Sequence, residues 1–367
     1  MGSVRFLPIK FMEMVLMDSL VKDALVHKAD ETKQELFETP RIVVAGVGGA
    51  GCNTVNRLAR VGIRGAELIA FNTDKKHLNI ISESAKRLLI GGTLTRGLGA
   101  GGFPEVAMKA AEASRGEIEK MLQGVDLLFI AAGMGGGTGT GASPVIADVA
   151  KKQGAIVVSM VSYPFVLERN RMKIADEGLE QLRKSSDTVV VIDNNRLVAL
   201  VPNLPIDQAF SVADEITARA VRGITETITT SSLINLDFAD VRSIMRGGGV
   251  SMIAVGEAKG SNRVHDVAKN TLNQRLLDVD YSGASGLLIH LTGGPDMTLG
   301  EANEIGELIS QNVASNANVI WGARMDPAYE GRIEAIAIFT GIKSPYIVGK
   351  TSFETSPKKK GFVLDEI

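Results

Sequence analysis

The feature that most constrains this chain is a dense run of glycines at positions 133–141, which reads GMGGGTGTG. It lies between an apolar segment typical of a buried strand, residues 126–132, and a segment that favours a helix. Glycine loses more backbone entropy on folding than any other residue, so this density indicates that the backbone closely approaches a ligand. Main-chain amides and threonine hydroxyls at the start of a helix suit a phosphate chain. We therefore predict phosphate contacts from Gly135, Gly136, Gly137, Thr138, Gly139 and Thr140.

A second glycine loop occurs earlier, where strand-like residues 41–45 lead into GVGGAG at 46–51 and then into a helix. This loop satisfies the spacing G-x-G-x-x-G, and Asp74 lies about as far downstream as the ribose-binding acid of a dinucleotide fold. Taken alone, the loop favours an NAD-dependent oxidoreductase, which we keep as an alternative. A third glycine-rich segment at 91–102, which contains Arg96, is either a cover over a terminal phosphate or a surface loop.

Short apolar runs alternate with helical segments from residue 40 onward, and such alternation implies right-handed crossovers and a mostly parallel sheet. An unbroken helical pattern at 205–230 then predicts one long helix. The fold class predicted is α/β, with a Rossmann-like parallel-sheet domain joined by this helix to a smaller α/β domain. The predicted strands are 42–45, 67–71, 87–90, 126–131, 155–161, 188–192, 252–255, 286–291, 318–321 and 332–340, and the later helices lie near 263–276 and 298–316.

These patterns divide the chain into five predicted parts. They are an N-terminal helical extension at 1–39, a nucleotide-binding domain at 40–204, a central helix at 205–230, a C-terminal activation domain at 231–342 and a flexible tail at 343–367.

Charge and cysteine content exclude several classes of function. Forty Lys and Arg residues against 42 Asp and Glu give a formal net charge of −2, without the basic face that duplex DNA binding needs. The single Cys52 excludes an intramolecular disulfide and a cysteine metal site, and only four histidines are present, so we predict no protein-built metal site. No apolar run reaches the roughly 18 residues of a membrane span. We expect a cytoplasmic protein without a nucleic-acid partner.

The GGGTGTG run is the signature of the tubulin and FtsZ superfamily, and four further motifs resemble FtsZ more than tubulin. These motifs are NTD at 72–74, GLGAG at 97–101, NLDFADVR at 235–242 and GASG at 283–286. The resemblance covers roughly residues 40–341 and is of the archaeal type. It implies the tubulin/FtsZ fold, binding of GTP and GDP, and Mg²⁺ that bridges the β- and γ-phosphates.

The resemblance also implies further contacts with the nucleotide. They come from the first loop, from the end of the second strand and from the third loop: Gly48, Gly49, Ala50, Gly51, Cys52, Asn53, Asn72, Asp74, Gly99, Ala100 and Gly101.

Residues around the ribose and the base follow from the same resemblance. Glu168 matches an acid that contacts ribose, and Arg171 matches the arginine of the same loop. The interval between them is one residue shorter than is usual in the family, so Arg169 is a second candidate for the arginine. The residues matched near the base are Asn194, the stacking aromatic Phe210 and the base-reading acid Asp214. A carboxylate accepts two hydrogen bonds from guanine, and adenine offers no such pair of donors.

Asp237 and Asp240 lie three residues apart, so they face one direction if a helix begins near residue 238. The simpler explanation is ordinary capping of that helix. The resemblance implies that these acids, together with Asn235, reach into the nucleotide pocket of the next subunit and polarise the attacking water. Head-to-tail contacts of this heterologous kind generate filaments. The chain is thus expected to be a polymerisation-activated GTPase that builds a septal ring, with a slow-hydrolysing scaffold paralogue as the alternative.

The last residues, 362–367, resemble the terminal peptide by which this family binds membrane-anchoring adaptor proteins. A disordered end is the alternative. With an adaptor, we expect recruitment to the division site at mid-cell without direct insertion into the membrane.

Overall fold

The computed structural model describes residues 40–196, 203–229, 237–246, 249–273, 281–311 and 313–342. The extension predicted at 1–39, the tail at 343–367 and the candidate catalytic residue Asn235 lie outside the described residues. None of the helices in the described ranges is both long and apolar enough to cross a membrane.

Ten strands form a single sheet. In chain order they are β1 (Ile42–Val47), β2 (Ala66–Asn72), β3 (Lys86–Leu89), β4 (Leu127–Gly133), β5 (Ile156–Tyr163), β6 (Thr188–Asp193), β7 (Gly249–Lys259), β8 (Gly286–Gly293), β9 (Asn318–Met325) and β10 (Arg332–Thr340). Across the sheet the order is β3-β2-β1-β4-β5-β6-β7-β10-β8-β9. Strands β1 to β7 pair in parallel, and β10 runs antiparallel to β7 and β8.

Helices cover both faces of this sheet. They are α1 (Gly48–Val61), α2 (Lys75–Asn79), α3 (Gly92–Thr95), α4 (Pro104–Ala113), α5 (Arg115–Leu122), α6 (Thr138–Lys152), α7 (Arg169–Ser185), α8 (Ile206–Thr229), α9 (Phe238–Met245), α10 (Arg263–Asn273) and α11 (Leu299–Ser310).

Strand β1 shows why the first half folds as a parallel sheet. All six of its residues are buried, since helices cover both faces and no polar alternation is needed. Val43 belongs to the hydrophobic cluster on one face and Val44 to the cluster on the other. Val47 pairs with Phe71 of β2 and Ala132 of β4, so the strand ends meet at one edge. Ligands of such sheets bind beyond the carboxyl ends where the strand order reverses, which here is between β1 and β4.

Strand β7 joins the two halves of the molecule. Its first three residues pair in parallel with β6, and residues 252–259 pair with β10 in antiparallel fashion. The long helix α8 is tied to the second half by Arg219, whose Nη1 lies 3.1 Å from Glu334 Oε2 on β10. A second pair, Arg324 on β9 and Glu226 on α8, adds another link.

The predicted fold class is confirmed, and each of the ten predicted strands is present. Most strand ends fall within about two residues of the predicted ones, whereas β7 and β9 are longer than predicted, at Gly249–Lys259 and Asn318–Met325. The long helix runs from Ile206 to Thr229, close to the predicted 205–230. The third glycine segment differs from the expected loop because one helical turn, α3, forms inside it. The sheet is continuous from the first half to the second, and the predicted domain limits stay a prediction.

Candidate functional site

A cavity of about 1060 Å³ opens at the carboxyl ends of β1, β4, β5 and β6. Its walls come from α1, from α8 and from the starts of α6 and α7. It brings together many of the predicted nucleotide contacts: Gly49, Ala50, Gly51, Asn53, Gly136, Gly137, Thr138, Gly139, Glu168, Arg171, Asn194 and Asp214.

The first glycine loop presents the amino end of α1 to the cavity. Gly48 has a φ of 73°, and a Cβ added there would lie 2.7 Å from the backbone nitrogen of Gly139, so the first and second loops touch. Val47 is the N-cap and makes no side-chain cap hydrogen bond, and the first turn contains no acidic residue. The amides of this turn are therefore open to an anionic ligand at the positive end of the helix dipole.

The second glycine loop presents the amino end of α6 in the same way. Gly137 is its N-cap without a side-chain hydrogen bond, and the first turn again has no acid. The Thr138 hydroxyl lies 2.7 Å from that of Thr73, which ties the loop to the end of β2. Gly135 has a φ of 88° and packs against the backbone of Arg171. Two helix amino ends thus converge on one cavity, an arrangement suited to a polyphosphate.

Cys52 and Asn72, both predicted contacts, are buried inside the protein. The Cys52 thiol lies 3.7 Å from the carbonyl oxygens of Gly46 and Phe71, and burial raises its pKa to about 12. The Asn72 side-chain amide nitrogen lies 3.1 Å from His77 Nδ1. Both side chains therefore hold the loops in place, and neither is among the residues that line the cavity.

Asp74 and Thr140 also support the loops. Asp74 is the N-cap of α2, and its Oδ1 accepts hydrogen bonds from the amides of Lys76 and His77 at 2.8 and 3.2 Å. That engagement removes the main support for a ribose-binding acid of the dinucleotide type. The Thr140 hydroxyl accepts a hydrogen bond from the Gly135 amide at 3.0 Å, which fixes the second loop from within.

The third loop lies against the second. The Gly99 amide donates to the Thr73 carbonyl at 3.1 Å, and a Cβ added at Gly137 would lie 2.9 Å from that of Ala100. Gly101 lines a neighbouring groove of about 1110 Å³ between α4, α6 and α7. The contact of this loop with a terminal phosphate stays a prediction.

Glu168 and Arg171 line the cavity as an ion pair. Arg171 Nη1 lies 2.6 Å from Glu168 Oε1, and Glu168 Oε2 accepts a hydrogen bond from the Phe165 amide at 3.1 Å. The three-residue spacing at the start of α7 brings the two side chains onto one helical face. Arg169, the second candidate, is not among the described residues that line the cavity.

Asn194 follows β6 and leaves a buried acceptor at the cavity wall. Its Oδ1 has no hydrogen-bond partner among the described residues. Buried polar atoms are normally paired, so this oxygen fits a donor on a ligand, such as a ribose hydroxyl or a base amine. Phe210 lies on α8, and its side chain is outside the described part of the structure, so its stacking role stays a prediction.

Asp214 projects from α8 into the cavity near α1. Its Oδ1 accepts a hydrogen bond from the Thr54 hydroxyl at 2.9 Å. Burial raises the pKa of Asp214 to about 6, and the Thr54 hydrogen bond and the charge of Arg57 oppose that rise. Sequence reasoning missed the cavity-lining residues Thr54, Arg57 and Arg60. Their spacing of three along α1 was the signal available for one helical face.

Asp237 and Asp240 lie far from this cavity. Asp237 is the N-cap of α9, and its Oδ1 accepts a hydrogen bond from the Asp240 amide at 2.7 Å. The end of α9 is fixed at the amino end of β6, where the Met245 carbonyl accepts a hydrogen bond from the Thr188 hydroxyl at 2.7 Å. The cavity residue Asn194 is at the other end of β6, about 20 Å away at the rise of a strand. Asp240 is within about 8 Å of Met245 along the helix. The acids and the cavity therefore occupy opposite edges of the sheet, the acids at the amino ends of the parallel strands and the cavity at their carboxyl ends.

Comparison with known proteins agrees with this geometry. The model of the GTPase domain of the Tubulin/FtsZ family matches residues 41–202, and the model of the FtsZ family C-terminal domain matches residues 249–343. Cell division protein FtsZ 2 of Methanocaldococcus jannaschii is 59% identical over 356 residues, which cover 96% of this chain and 92% of that protein. Cell division protein FtsZ 2 of Haloferax volcanii is 52% identical over 330 residues, which cover 90% of this chain and 82% of that protein.

Solved structures show the same fold. An empty FtsZ dimer from M. jannaschii matches with a TM-score of 0.79 and 44% identity, over 89% of this chain and 92% of that one. The structure of CetZ2 from Haloferax volcanii matches with a TM-score of 0.69 and 21% identity, over 83% of this chain and 93% of that one. At this low identity the match supports the fold alone. These matches do not favour the oxidoreductase alternative. The chain therefore belongs to the tubulin/FtsZ family and is a guanine-nucleotide-binding GTPase of the FtsZ cell-division type.

Proposed function

We propose that this chain hydrolyses GTP at a site that the next copy of the chain completes, so that polymerisation activates the enzyme. The observation that carries the proposal is the position of the two half-sites on opposite edges of one sheet. Asp237 and Asp240 cannot reach a nucleotide held by their own subunit. When copies stack head to tail, the acid-bearing edge of one faces the cavity of the next, and a contact of this kind repeats without closure.

Large apolar side chains around the cavity mouth support such stacking. Leu98 and Leu167 are 79% and 82% exposed, and Phe103 and Val166 are 63% and 62% exposed. They lie in the third loop and in the segment before α7, on both sides of the second glycine loop. Exposed apolar groups of this size, clustered beside a functional cavity, are typical of a protein interface.

Within one subunit, the proposed roles follow the geometry of the cavity. The open amides at the starts of α1 and α6 bind the phosphate chain, and Glu168 with Arg171 contacts the ribose. Asn194 offers its unpaired oxygen to a ligand donor, and Asp214 accepts the two hydrogen bonds that guanine presents. Phe210 is proposed to stack on the base.

In the hydrolytic step, a water oxygen bonds to the γ-phosphorus, and the bond between that phosphorus and the β–γ bridging oxygen breaks, which gives GDP and phosphate. Asp237 and Asp240 of the incoming subunit accept hydrogen bonds from the water and orient it, and the proton that the water loses leaves with the inorganic phosphate. Asn235 is proposed to hold the same water. After phosphate leaves, the contact between subunits weakens, because the incoming acids lose the group that they face.

Magnesium is proposed to bind through the phosphates, where it offsets the charge of the triphosphate. The described residues contain no group of three or more acidic, histidine or cysteine side chains that could hold a metal ion by themselves. Asp214 and Glu168 are the acids among the residues that line the cavity, and Glu168 is paired with Arg171. The few carboxylates that line the cavity therefore fit a metal ion that is held chiefly by the nucleotide.

We propose that the filaments form a septal ring scaffold, because the similar proteins from M. jannaschii and H. volcanii are named cell division proteins. Recruitment to mid-cell is proposed to depend on an adaptor protein that binds the terminal peptide at 362–367.

The test is phosphate release from GTP and from ATP across a range of protein concentrations. We expect GTP-specific turnover that rises steeply above a threshold concentration and is lost in Asp237→Ala. Asp266→Ala is the matched control, because Asp266 is a partly exposed acid in the first turn of another helix, α10, and is not among the residues that line the cavity. Turnover strictly proportional to concentration, or unchanged in Asp237→Ala, would contradict the shared site.

A slower scaffold function is the second candidate, and the shortened interval between Glu168 and Arg171 favours it. Their direct ion pair at 2.6 Å must open or reorient for both groups to contact ribose. Filaments that persist long after GTP is added, with phosphate release far slower than assembly, would support this alternative.

A further inference from the structure

Thr54 sits behind the carboxylate of Asp214, between α1 and α8. Its side chain is 4% exposed, and its Oγ1 lies 2.9 Å from Asp214 Oδ1 and 3.4 Å from the carbonyl of Ala50. An ionised carboxylate only accepts hydrogen bonds, so the hydroxyl is the donor of the shorter contact. Because a hydroxyl has one hydrogen, the longer contact with Ala50 is secondary.

We propose that Thr54 is a positioning residue for nucleotide specificity, which orients the Asp214 carboxylate so that the cavity takes a guanine base and rejects adenine. The proposal rests on the role of Asp214 proposed above. It adds a residue that neither the glycine loops nor the base-contact motifs include.

The hydroxyl is the one hydrogen bond that the described residues provide to Asp214. The nearby cation Arg57 is engaged elsewhere, since its Nε lies 2.7 Å from Glu215 Oε2. With Oδ1 held by Thr54, the carboxylate is fixed in rotation, and Oδ2 and the second lone pair of Oδ1 remain for the ligand. Without the hydroxyl, the carboxylate is free to rotate about its last bond and no longer presents one fixed edge.

Orientation and ionisation act together in choosing the base. An ionised carboxylate matches the two donors of guanine, whereas a protonated one has a donor and an acceptor and so matches adenine. Burial raises the pKa of Asp214 to about 6, and the hydrogen bond from Thr54 holds it down. Loss of that hydroxyl therefore shifts the carboxyl toward the protonated form near neutral pH, where guanine is no longer favoured.

The charged groups near Asp214 are arginines and one paired acid. Arg57 and Arg60 line the same cavity from α1, and the charge of Arg57 opposes the rise in the pKa of Asp214. Glu215, the next residue on α8, is bonded to Arg57 and to Arg219, and these partners outweigh burial to lower its pKa. Among these groups, Asp214 is the one expected to titrate between pH 5.5 and 8. The γ-phosphate of GTP also titrates in this range, but its effect on the measured affinity is the same for every variant. Comparison of the variants with the wild type therefore removes that effect.

The experiment measures dissociation constants for GTP and ATP by calorimetry between pH 5.5 and 8 on the full chain. Thr54→Val removes the hydroxyl at nearly constant shape, and Thr54→Ser keeps it. Thr225→Val is the control, because Thr225 is a buried threonine of α8 whose hydroxyl has no partner among the described residues. Thr54→Ala provides a second variant without the hydroxyl if valine prevents folding.

We expect Thr54→Val to weaken GTP binding about tenfold at pH 7, as for loss of a hydrogen bond to a charged group. ATP binding should stay the same or strengthen, and the pH at which GTP affinity halves should rise. Thr54→Ser and Thr225→Val should match the wild type. Equal GTP affinity and an unchanged pH profile in folded Thr54→Val or Thr54→Ala would overturn the proposal. Failure of the wild type itself to prefer GTP would instead refute the proposed role of Asp214.

Discussion

Replacement of Asp214 by asparagine is expected to stabilise the nucleotide-free protein while it removes the preference for GTP. Burial raises the pKa of Asp214 from 3.8 to about 6, against the hydrogen bond from Thr54. A shift of about two units disfavours the ionised form in the folded state by roughly 3 kcal/mol. The folded pKa exceeds the unfolded one, so this cost is fully present above about pH 6 and disappears as the pH falls toward 4.

Asparagine keeps an oxygen that accepts the Thr54 hydrogen bond and carries no charge to desolvate. The side chain of Asp214 is partly exposed, so only part of the penalty is recovered on substitution. We expect Asp214→Asn to raise the free energy of unfolding by about 1–2 kcal/mol at pH 7.5, and by much less at pH 5.

Urea unfolding of the nucleotide-free protein at both pH values measures this effect. Asp148→Asn is the matched control: burial would raise the pKa of Asp148, but hydrogen bonds from Lys152 and Arg115 outweigh it and lower the pKa. That control should lose stability at pH 7.5. Lower stability of Asp214→Asn at pH 7.5, or the same difference at both pH values, would refute the reasoning.

Added nucleotide should reverse the order of stability. At a GTP concentration of about 100 times the dissociation constant, the wild type gains about 2.7 kcal/mol, and Asp214→Asn, which cannot accept both guanine hydrogen bonds, should gain far less. An equal gain in both proteins would exclude Asp214 as the base-reading acid.

Three further predictions concern the loops, the second half and the single cysteine. Gly48→Ala should weaken nucleotide binding, measured by calorimetry, more than tenfold, because an added Cβ at a φ of 73° would lie 2.7 Å from the Gly139 nitrogen. Unchanged binding would mean that the first and second glycine loops do not touch. Arg263→Met should lower the free energy of unfolding in urea by about 2 kcal/mol with normal GTP affinity, since it removes the charged hydrogen bonds to Glu301 and Asp296. A loss of affinity would contradict a purely structural role. Burial raises the pKa of Cys52 to about 12, so labelling by a thiol reagent at pH 8 should require unfolding, and fast labelling of the native protein would disprove that burial.

The sequence predicted the strands well because their apolar runs are continuous and bounded by glycine loops, as in β1 and β4. The alternation of strands and helices implied a helical segment between β3 and β4, but it gave no bounds for α4 and α5, because residues 103–122 begin with Phe-Pro and follow a glycine run that resembles a longer loop. Only tertiary packing, such as that of Ala110 against the backbone of Gly91, shows where that segment lies.

The sequence predicted which residues lie near the candidate site, but it did not predict the direction in which all of their side chains point. Motif spacing brings Cys52 and Asp74 close to the phosphate loops, but a motif does not state on which side of a loop each side chain points. In the structure, the thiol of Cys52 faces the core and Asp74 caps α2. Thr54 was missed for a different reason: its spacing of three from Arg57 indicates a shared face of α1, but only the packing of α8 shows that Asp214 lies beside that face.

The central claim is that two copies share one catalytic site, and mixing of two inactive variants tests it most directly. Asp237→Ala retains its nucleotide cavity, and Asp214→Ala retains the acids on α9. We expect each variant alone to release little phosphate from GTP. An equimolar mixture should recover a substantial fraction of wild-type turnover, because a GTP-bound Asp237→Ala subunit meets the intact acids of its neighbour. Turnover of the mixture equal to the sum of the separate variants would contradict a site shared between subunits.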